Sequence, residues 1–404
     1  MFSGAAFSFD HNWSETVTER LSWLTNVMAH RDASEQRRQP RRKPRRQLEY
    51  SVLPVTQIER QCLDNFIWAN QKGAMLLPIW TDAQVLQSTA ASGQAVVSIQ
   101  TTTYDYDANG YLILWRDYQN YEAVKVQSLT SSAVTLTENL LSTWTPGTIV
   151  CPARLARMSQ QVQGQQHAHE VRPYRFLFDV DEASPSTNRA ATLSPNQYLS
   201  TDVFEAISEG GEVLDFSYEH GRFDIDFQVG AVAIDSGARP NPALIVPYKE
   251  TFENRAQLST WVGFLERRQG RRVPFWFPTW ENDFQPVTIH NGVNGSIDYV
   301  SNGYADWINA ANGRKDLAII YLSNGQVYSA GHYQNVRITA ATNNGNGTET
   351  INCPLNFVYD SDRPGLKLSF LRYCRLESDS IEIAWHTTTA ATTRTAFREL
   401  LNVP

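Results

Sequence analysis

The chain has 404 residues, of which 42% are hydrophobic; this is enough for two or three packed domains and excludes a disordered tail or a mini-protein. Its 11 tryptophans, 17 tyrosines and 18 phenylalanines against four methionines favour sheet-rich structure over an all-helical protein. The net charge of -7 conceals an asymmetry, because residues 31–46 hold eight basic groups against Asp32 and Glu35, a local charge of +6, and the rest of the chain sums to -13.

No stretch of the sequence approaches the roughly 18 to 20 apolar residues that cross a bilayer. Asp10, Glu15 and Glu19 lie where the apolar part of a secretory signal would stand. We therefore expect a soluble protein made in the cytoplasm, without membrane insertion. The four cysteines lack C-x-x-C spacing and are expected to be buried small hydrophobes: Cys62, Cys151, Cys353 and Cys374.

The first half of the chain predicts an arm, a strand, one helix and a meander. Prolines block a regular helix in the Arg-rich segment 37–46, which runs into an alternating strand at 48–52. Apolar residues at helical spacing, followed by a glycine, predict a helix over 57–72. A strand follows at 75–80, and repeated alternation with turn signals predicts short antiparallel strands up to residue 150.

The same order of elements recurs in the second half. We take the strand FDIDF at 223–227 as the counterpart of the strand at 48–52, and a helix at 254–269 as the counterpart of the first helix. The sequence FPTW at 277–280 matches LPIW at 77–80. This recurrence favours an internal duplication over two unrelated sheet domains.

The expected fold is therefore mainly β with a few helices, as two similar β-sandwich or β-barrel domains that each carry one packed helix. The predicted N-terminal domain is 1–158, including the basic arm 31–46. Residues 159–200 are a polar linker and connecting strand, and residues 201–404 form a domain that repeats the first. Seven residues are expected to anchor the two cores: Trp68, Pro78, Trp80, Trp261, Trp276, Pro278 and Trp280.

The candidate motifs for catalysis and metal binding are weak. The segment DYDANG at 105–110 begins like a Ca²⁺ loop, but its twelfth position is Arg116, and its Asn-Gly step is typical of a hairpin turn. His167 and His169 lie in one polar linker without a third ligand, which favours a solvated loop over a metal site. No nucleotide-binding or hydrolase motif occurs. We predict that the protein is not an enzyme, with no catalytic, cofactor-binding or metal-binding residues.

The basic arm is the strongest candidate site. A neighbouring subunit with an acidic surface, the phosphates of nucleic acid, or solvent alone would suit its charges. No aromatic residues stand between the cations to stack on bases, and the prolines make the arm an extended clamp. We therefore favour docking on a neighbouring subunit through the following residues: Arg37, Arg38, Arg41, Arg42, Lys43, Arg45 and Arg46.

Two longer stretches resemble structural proteins from the tail tip of tailed bacteriophages. They are SEQRRQPRRKPRRQLEYSV at 34–52 and WVGFLERRQGRRVPFWFPTWENDF at 261–284. The ending, IEIAWHTTTAATTRTAFREL at 381–400, resembles the strand, turn and strand that close such domains. These segments are similar to distal tail proteins and baseplate-hub components, including those of gene transfer agents.

The resemblance implies a virion protein with tail-tube-like domains, assembled in the host cytoplasm, that forms a ring. The ring would join the tail tube to the hub or fibres and line the DNA channel. Its partners would be further copies in a trimer or hexamer, the tail tube protein, and hub, tape-measure or fibre proteins, with DNA only as passing cargo. A simple distal tail protein has one such domain, so two copies here imply three chains presenting six domains or six chains in a two-layer ring.

Two other functions remain as alternatives. A carbohydrate-binding or receptor-binding β-sandwich protein of the tail is supported by Trp and Tyr in the predicted strands and turns. A glycan hydrolase ranks lower, because no paired carboxylates can be placed.

Overall fold

A computed structural model describes residues 4–401 except 31, 33, 167–171, 182–195, 210–214, 221–222, 235–240, 291, 293, 310–312, 324–325, 328–332 and 356–365. It confirms a mainly β fold with few helices. Within these ranges 20 strands are linked edge to edge in one large sheet, which does not close on itself, so the barrel alternative is excluded. Among the described residues, no helix combines the length and apolar character that crossing a bilayer requires.

The first unit, residues 4–181, contains the helix α1, Gln57–Asn70, which begins where the Thr56 side chain accepts a hydrogen bond from the backbone N–H of Glu59. A short 3-10 turn, Trp80–Asp82, follows the strand after this helix. The strands are β1 Val17–Ala29, β2 Glu35–Val52, β3 Ala74–Pro78, β4 Gln84–Val85, β5 Val96–Val97, β6 Tyr111–Trp115, β7 Tyr121–Thr130, β8 Ala133–Leu136, β9 Ile149–Met158, β10 Gln163–Gly164 and β11 Tyr174–Val180.

The second unit, residues 196–401, contains the helix α2, Arg255–Arg268, with Asn254 as its N-cap. A π-helical turn covers Tyr304–Asn309. The strands are β12 Gln197–Tyr198, β13 Thr201–Asp202, β14 Ser217–Glu219, β15 Phe223–Asp226, β16 Ala231–Ile234, β17 Ala243–Phe252, β18 Phe275–Pro278, β19 Pro286–His290, β20 Ser296–Val300, β21 Asp316–Ser323, β22 Gln326–Val327, β23 Tyr333–Arg337, β24 Ala340–Asn343, β25 Thr348–Asn352, β26 Leu366–Leu376, β27 Ser380–Trp385 and β28 Ala391–Glu399.

The two units share one order of strand pairing. In the first, β2 enters α1, β3 follows and pairs with β9, β9 pairs with β11, and β11 returns to β2. In the second, β17 enters α2, β18 pairs with β26, β26 pairs with β28, and β28 returns to β17. Each unit also has a parallel bridge to the strand after its helix, from Ala6 to Leu76 and from Val203 to Trp276.

The correspondence expected from the sequence is wrong at one strand. The FDIDF segment contains β15, which pairs with β16 in a separate two-stranded sheet, whereas the strand that enters α2 is β17. Tyr248 in β17 stands seven residues before the first residue of α2, as Tyr50 in β2 stands before α1. Alternation identifies a strand but not its partner. Strand β14 pairs with β17, and β15 pairs with β16. Strands β14 to β17 thus form a second hairpin, the counterpart of the first hairpin formed by β1 and β2.

The main apolar core is shared by both units. Phe7 and Trp80 of the first unit and Trp261 and Trp385 of the second belong to one buried cluster. Two smaller clusters lie under the inserted strands, one around Leu112 and Leu114 in the first unit and one around Phe284 and Tyr299 in the second. Of the expected core anchors, six are buried: Pro78, Trp80, Trp261, Trp276, Pro278 and Trp280.

The prediction that Trp68, the seventh of these residues, anchors the core is wrong. Its side chain is 93% exposed. Helix α1 packs on the core through Leu63, Phe66 and Ile67, and the next residue in a helix lies about 100° further round the axis. Trp68 therefore lies on the outer surface of the helix.

Candidate assembly interface

The basic arm is not a free extension, because it is most of the strand β2. It pairs antiparallel with β1, with Arg38 opposite Asn26 and Arg45 opposite Ser22. Three of its cations are exposed, at Arg38, Lys43 and Arg45. The side chain of Arg42 lies outside the described part.

Three other cations of the arm are partly or fully buried in their own chain. Arg37 is half-buried, and burial lowers the pKa of its guanidinium. Arg41 donates hydrogen bonds to the carbonyl oxygens of Ser22 and Trp23, at 2.6 and 3.1 Å. Arg46 is fully buried, so the prediction that Arg46 contacts a neighbouring subunit is wrong.

Strand alternation is the reason for the burial of Arg46. It shares one face of β2 with Leu48, Tyr50 and Val52, all of which are buried. The sequence pattern does not indicate this buried face within the arginine stretch, because the apolar residues that mark the face begin only after the last arginine.

Arg46 is at the centre of a buried ion-pair network. Its Nε donates to Glu19 Oε1 at 2.8 Å, and its Nη1 contacts Asp105. Arg154 donates to the other carboxylate oxygen of Asp105 at 2.7 Å. Burial lowers the pKa of Arg46, but the charges of Glu19 and Asp105 outweigh burial and raise it overall, so the guanidinium stays charged.

The ion-pair network also shows what the carboxylates of the DYDANG segment do in this fold. Asp105 is fully buried against two arginines, and Asp107 accepts a hydrogen bond from Arg154 at 3.4 Å. These carboxylates therefore form ion pairs in the fold. Asn109 has a φ of 68°, as expected for a turn residue, but the turn leads into β6 and does not join two paired strands.

The far end of the first hairpin is fixed to the second unit. The carboxylate of Asp379 accepts hydrogen bonds from the backbone N–H and the hydroxyl of Thr25, at 2.8 and 2.9 Å, and from the backbone N–H of Arg271 at 2.9 Å. Arg375 forms a two-bond ion pair with Glu35, at 2.8 and 2.9 Å. The hairpin thus contacts a body within the same chain.

A continuous strand junction joins the two units. Strand β1 pairs antiparallel with β27, with Val17 opposite Trp385 and Ser22 opposite Ser380. The Trp385 indole donates to Glu19 Oε2 at 3.1 Å, which connects the junction to the ion-pair network. The partners in this junction are more than 350 residues apart in the sequence, and no local sequence signal identifies them.

Helix α2 contributes a second connection between the units. Arg255 at its first position donates to Asp82 of the first unit at 2.7 Å, and both side chains are buried. Its guanidinium also lies over the rings of Tyr104 and Trp385, at 4.4 and 4.9 Å from the centroids. Nine residues of α2 are buried, against Leu63 alone in α1.

Among the described strands, β14 of the second hairpin pairs with β17 alone, whereas β1 of the first hairpin pairs with both β2 and β27. Glu19 and Leu21 on the inner face of β1 are 0% and 1% exposed. On the strand β14 side of the second hairpin, Phe216 and Tyr218 are 66% and 58% exposed. An exposed apolar strand edge of this kind is typical of an interaction site.

The remaining candidate sites are the two linker histidines, clusters of metal-ligating side chains, and one cavity. His167 and His169 lie outside the described residues. Within the described ranges no group of three or more His, Cys, Asp or Glu side chains is placed to hold a metal ion. An open cavity of about 820 Å³ in the second unit is lined by Trp307, Arg314 and Tyr373, among others.

No family model matches this sequence, and no curated protein is significantly similar to it.

Proposed function

We propose that the protein is a virion structural protein of a phage tail tip or baseplate, which assembles into a ring. The ring joins the tail tube to the hub or fibres and lines the DNA channel. One observation carries the proposal: two units with the same strand order stand side by side through the junction of β1 with β27, while β14, the counterpart of β1, pairs among the described strands with β17 alone and has exposed aromatic side chains beside it.

A head-to-tail contact of this kind closes into a ring when its rotation divides the circle. Three chains with two units each would present six similar units, which suits a sixfold tail tube. The resemblance of residues 34–52 and 261–284 to tail-tip proteins supports the same assignment. The exposed cations Arg38, Lys43 and Arg45 suit a surface near DNA or an acidic tail protein.

Native mass spectrometry and negative-stain imaging test this function. We expect closed rings of three or six chains at micromolar concentration, and incorporation of the protein into tail-tip complexes when tail tube and hub proteins are present. A protein that stays monomeric at high concentration and does not join tail proteins would overturn the proposal.

A second function, receptor glycan binding, is favoured by the open cavity. Trp307 is 75% exposed at its edge, and exposed aromatic rings bind sugar faces. A glycan array decides this: binding that Trp307→Ala abolishes and Trp68→Ala preserves would support it, because Trp68 is an exposed tryptophan away from that cavity. Absence of glycan binding would exclude it.

A further inference from the structure

We propose that copies of this chain join by strand addition, in which the β14 edge at residues 215–219 of one copy pairs antiparallel with the β10 edge at residues 161–165 of the next. The contact repeats, between chains, the junction that β1 and β27 form within the chain. The inference rests on the proposed ring and specifies how its subunits join.

The two hairpins correspond residue by residue at this place. Gln47, ten residues before α1, pairs with Arg20 of β1. Ile245, ten residues before α2, pairs with Ser217 of β14. Ser217 is therefore the counterpart of Arg20, and Tyr218 is the counterpart of Leu21.

The corresponding residues differ in burial. Leu21 is 1% exposed because β27 and the core cover it, whereas Tyr218 is 58% exposed. At the next position on the same face, Glu19 is fully buried and Phe216 is 66% exposed. A partner that covers β14 as β27 covers β1 would bury both aromatic rings, and burial of apolar area is the main source of association free energy.

Strand β10 is the counterpart of β27. Tyr174 of β11 pairs with Val52, five residues before α1, and also with Gly164 of β10. Thr393 of β28 pairs with Glu250, five residues before α2, and also with Ile383 of β27. Gly164 is therefore the counterpart of Ile383. Residues 163–166 are exposed, and among the described strands β10 pairs only with β11.

The correspondence fixes the register between copies. Leu21 pairs with Ile381, and Arg20 with Glu382, within the chain. The same register places Tyr218 opposite Val162, Ser217 opposite Gln163, and Phe216 opposite Gly164.

The side chains suit this register. The Tyr218 ring and the Val162 side chain both offer apolar surface, and Val162 already packs partly on the core. Ser217 and Gln163 are both polar and uncharged. An aromatic ring opposite a glycine covers the backbone that the glycine leaves bare.

The burial of the two helices supports the same partner. Charged side chains near both edges already have partners in their own chain, because Arg157 pairs with Asp181, Arg175 with Glu49 and Glu219 with Arg398. Helix α1 near β10 has one buried residue, whereas α2, covered by the first unit, has nine. A second unit docked on β10 would cover α1 in the same way.

Disulfide trapping between two differently substituted chains tests the register. Chains carrying Ser217→Cys are mixed with chains carrying Gln163→Cys and oxidised, and we expect a covalent dimer that neither chain forms alone. The native chain, with four free cysteines, gives the background. Ser22→Cys with Ser380→Cys in one chain is the matched control, because these hydroxyls lie 3.1 Å apart in the internal junction and should form an intrachain bridge.

In the negative control, chains carrying Ser128→Cys take the place of the chains carrying Gln163→Cys. Ser128 lies at an exposed position of β7. Rings without the expected crosslink, or an equal yield with Ser128→Cys, would overturn the strand junction and leave the ring function standing. If no rings form at all, both the junction and the proposed function fail.

A second variant does not depend on cysteine chemistry. Phe216→Asp should weaken ring formation at least tenfold and leave the circular dichroism and melting temperature of the monomer unchanged, because the side chain is exposed. Val287→Asp in β19, 58% exposed, is the matched control and should leave ring formation unchanged. Equal effects of the two substitutions would contradict the proposal.

Discussion

Replacing Arg46 by methionine tests whether this arginine is structural. Arg46 and Glu19 both have fully buried side chains. The substitution leaves the Glu19 carboxylate buried without this cation, and breaking a buried pair costs about 3–5 kcal/mol. Asp105 keeps its 2.7 Å hydrogen bond from Arg154, so we expect the lower end, about 3 kcal/mol.

The measurement is urea unfolding followed by tryptophan fluorescence. Arg45→Met is the matched control, because its side chain is exposed on the same strand, and its effect should stay within about 0.5 kcal/mol. Adding Glu19→Gln to Arg46→Met removes the stranded charge but keeps an acceptor for Trp385, and should recover about 1 kcal/mol or more. A loss below about 1 kcal/mol for Arg46→Met, similar to that of the control, would refute this account of the network.

Two further predictions concern contacts between the units, and a third concerns the outer surface of α1. Burial raises the pKa of Glu35, but the ion pair with Arg375 and the charges of Arg37 and Arg398 together lower it below the usual 4.5. The pair therefore stabilises the fold above pH 4.5 and loses this contribution as the pH falls through the folded pKa, so Glu35→Gln should flatten the acid side of the melting-temperature profile. Arg255→Met removes the cation that is hydrogen-bonded to the buried Asp82 and should lower the free energy of unfolding by about 2–4 kcal/mol in urea titration. Trp68→Ala should change it by less than about 0.5 kcal/mol, because the side chain is 93% exposed.

Local signals were sufficient to predict the helices. The helix expected at 57–72 is Gln57–Asn70, and the one expected at 254–269 is Arg255–Arg268. Both have apolar residues at helical spacing and a capping side chain immediately before them. These features are encoded within about four turns of sequence, so no distant contact is needed to recognise them.

The strand partners could not be predicted in the same way. Nothing near Leu21 in the sequence indicates that Ile381 lies opposite it, because pairing across such a separation depends on the completed fold. The same limitation produced the error at FDIDF, where alternation correctly indicated a strand but gave the wrong counterpart. The predictions for Arg46 and Trp68 were wrong for a related reason. Residue type suggested an exposed position for the arginine and a buried position for the tryptophan, whereas the face of the strand or helix on which each residue lies decided its burial.

The two hairpins differ in charge, although they correspond in strand order. The first hairpin holds the basic segment and is fixed to its own second unit through Glu35 and Asp379. The second hairpin corresponds to it in strand order but has Asp215 and Glu219 at its edge, where the first has Thr18 and Ser22. Like charges across an interface oppose association, so these two carboxylates disfavour the pairing of two β14 edges with each other, whereas the facing residues of β10, Val162, Gln163 and Gly164, are uncharged. This difference would make first and second units alternate around the ring.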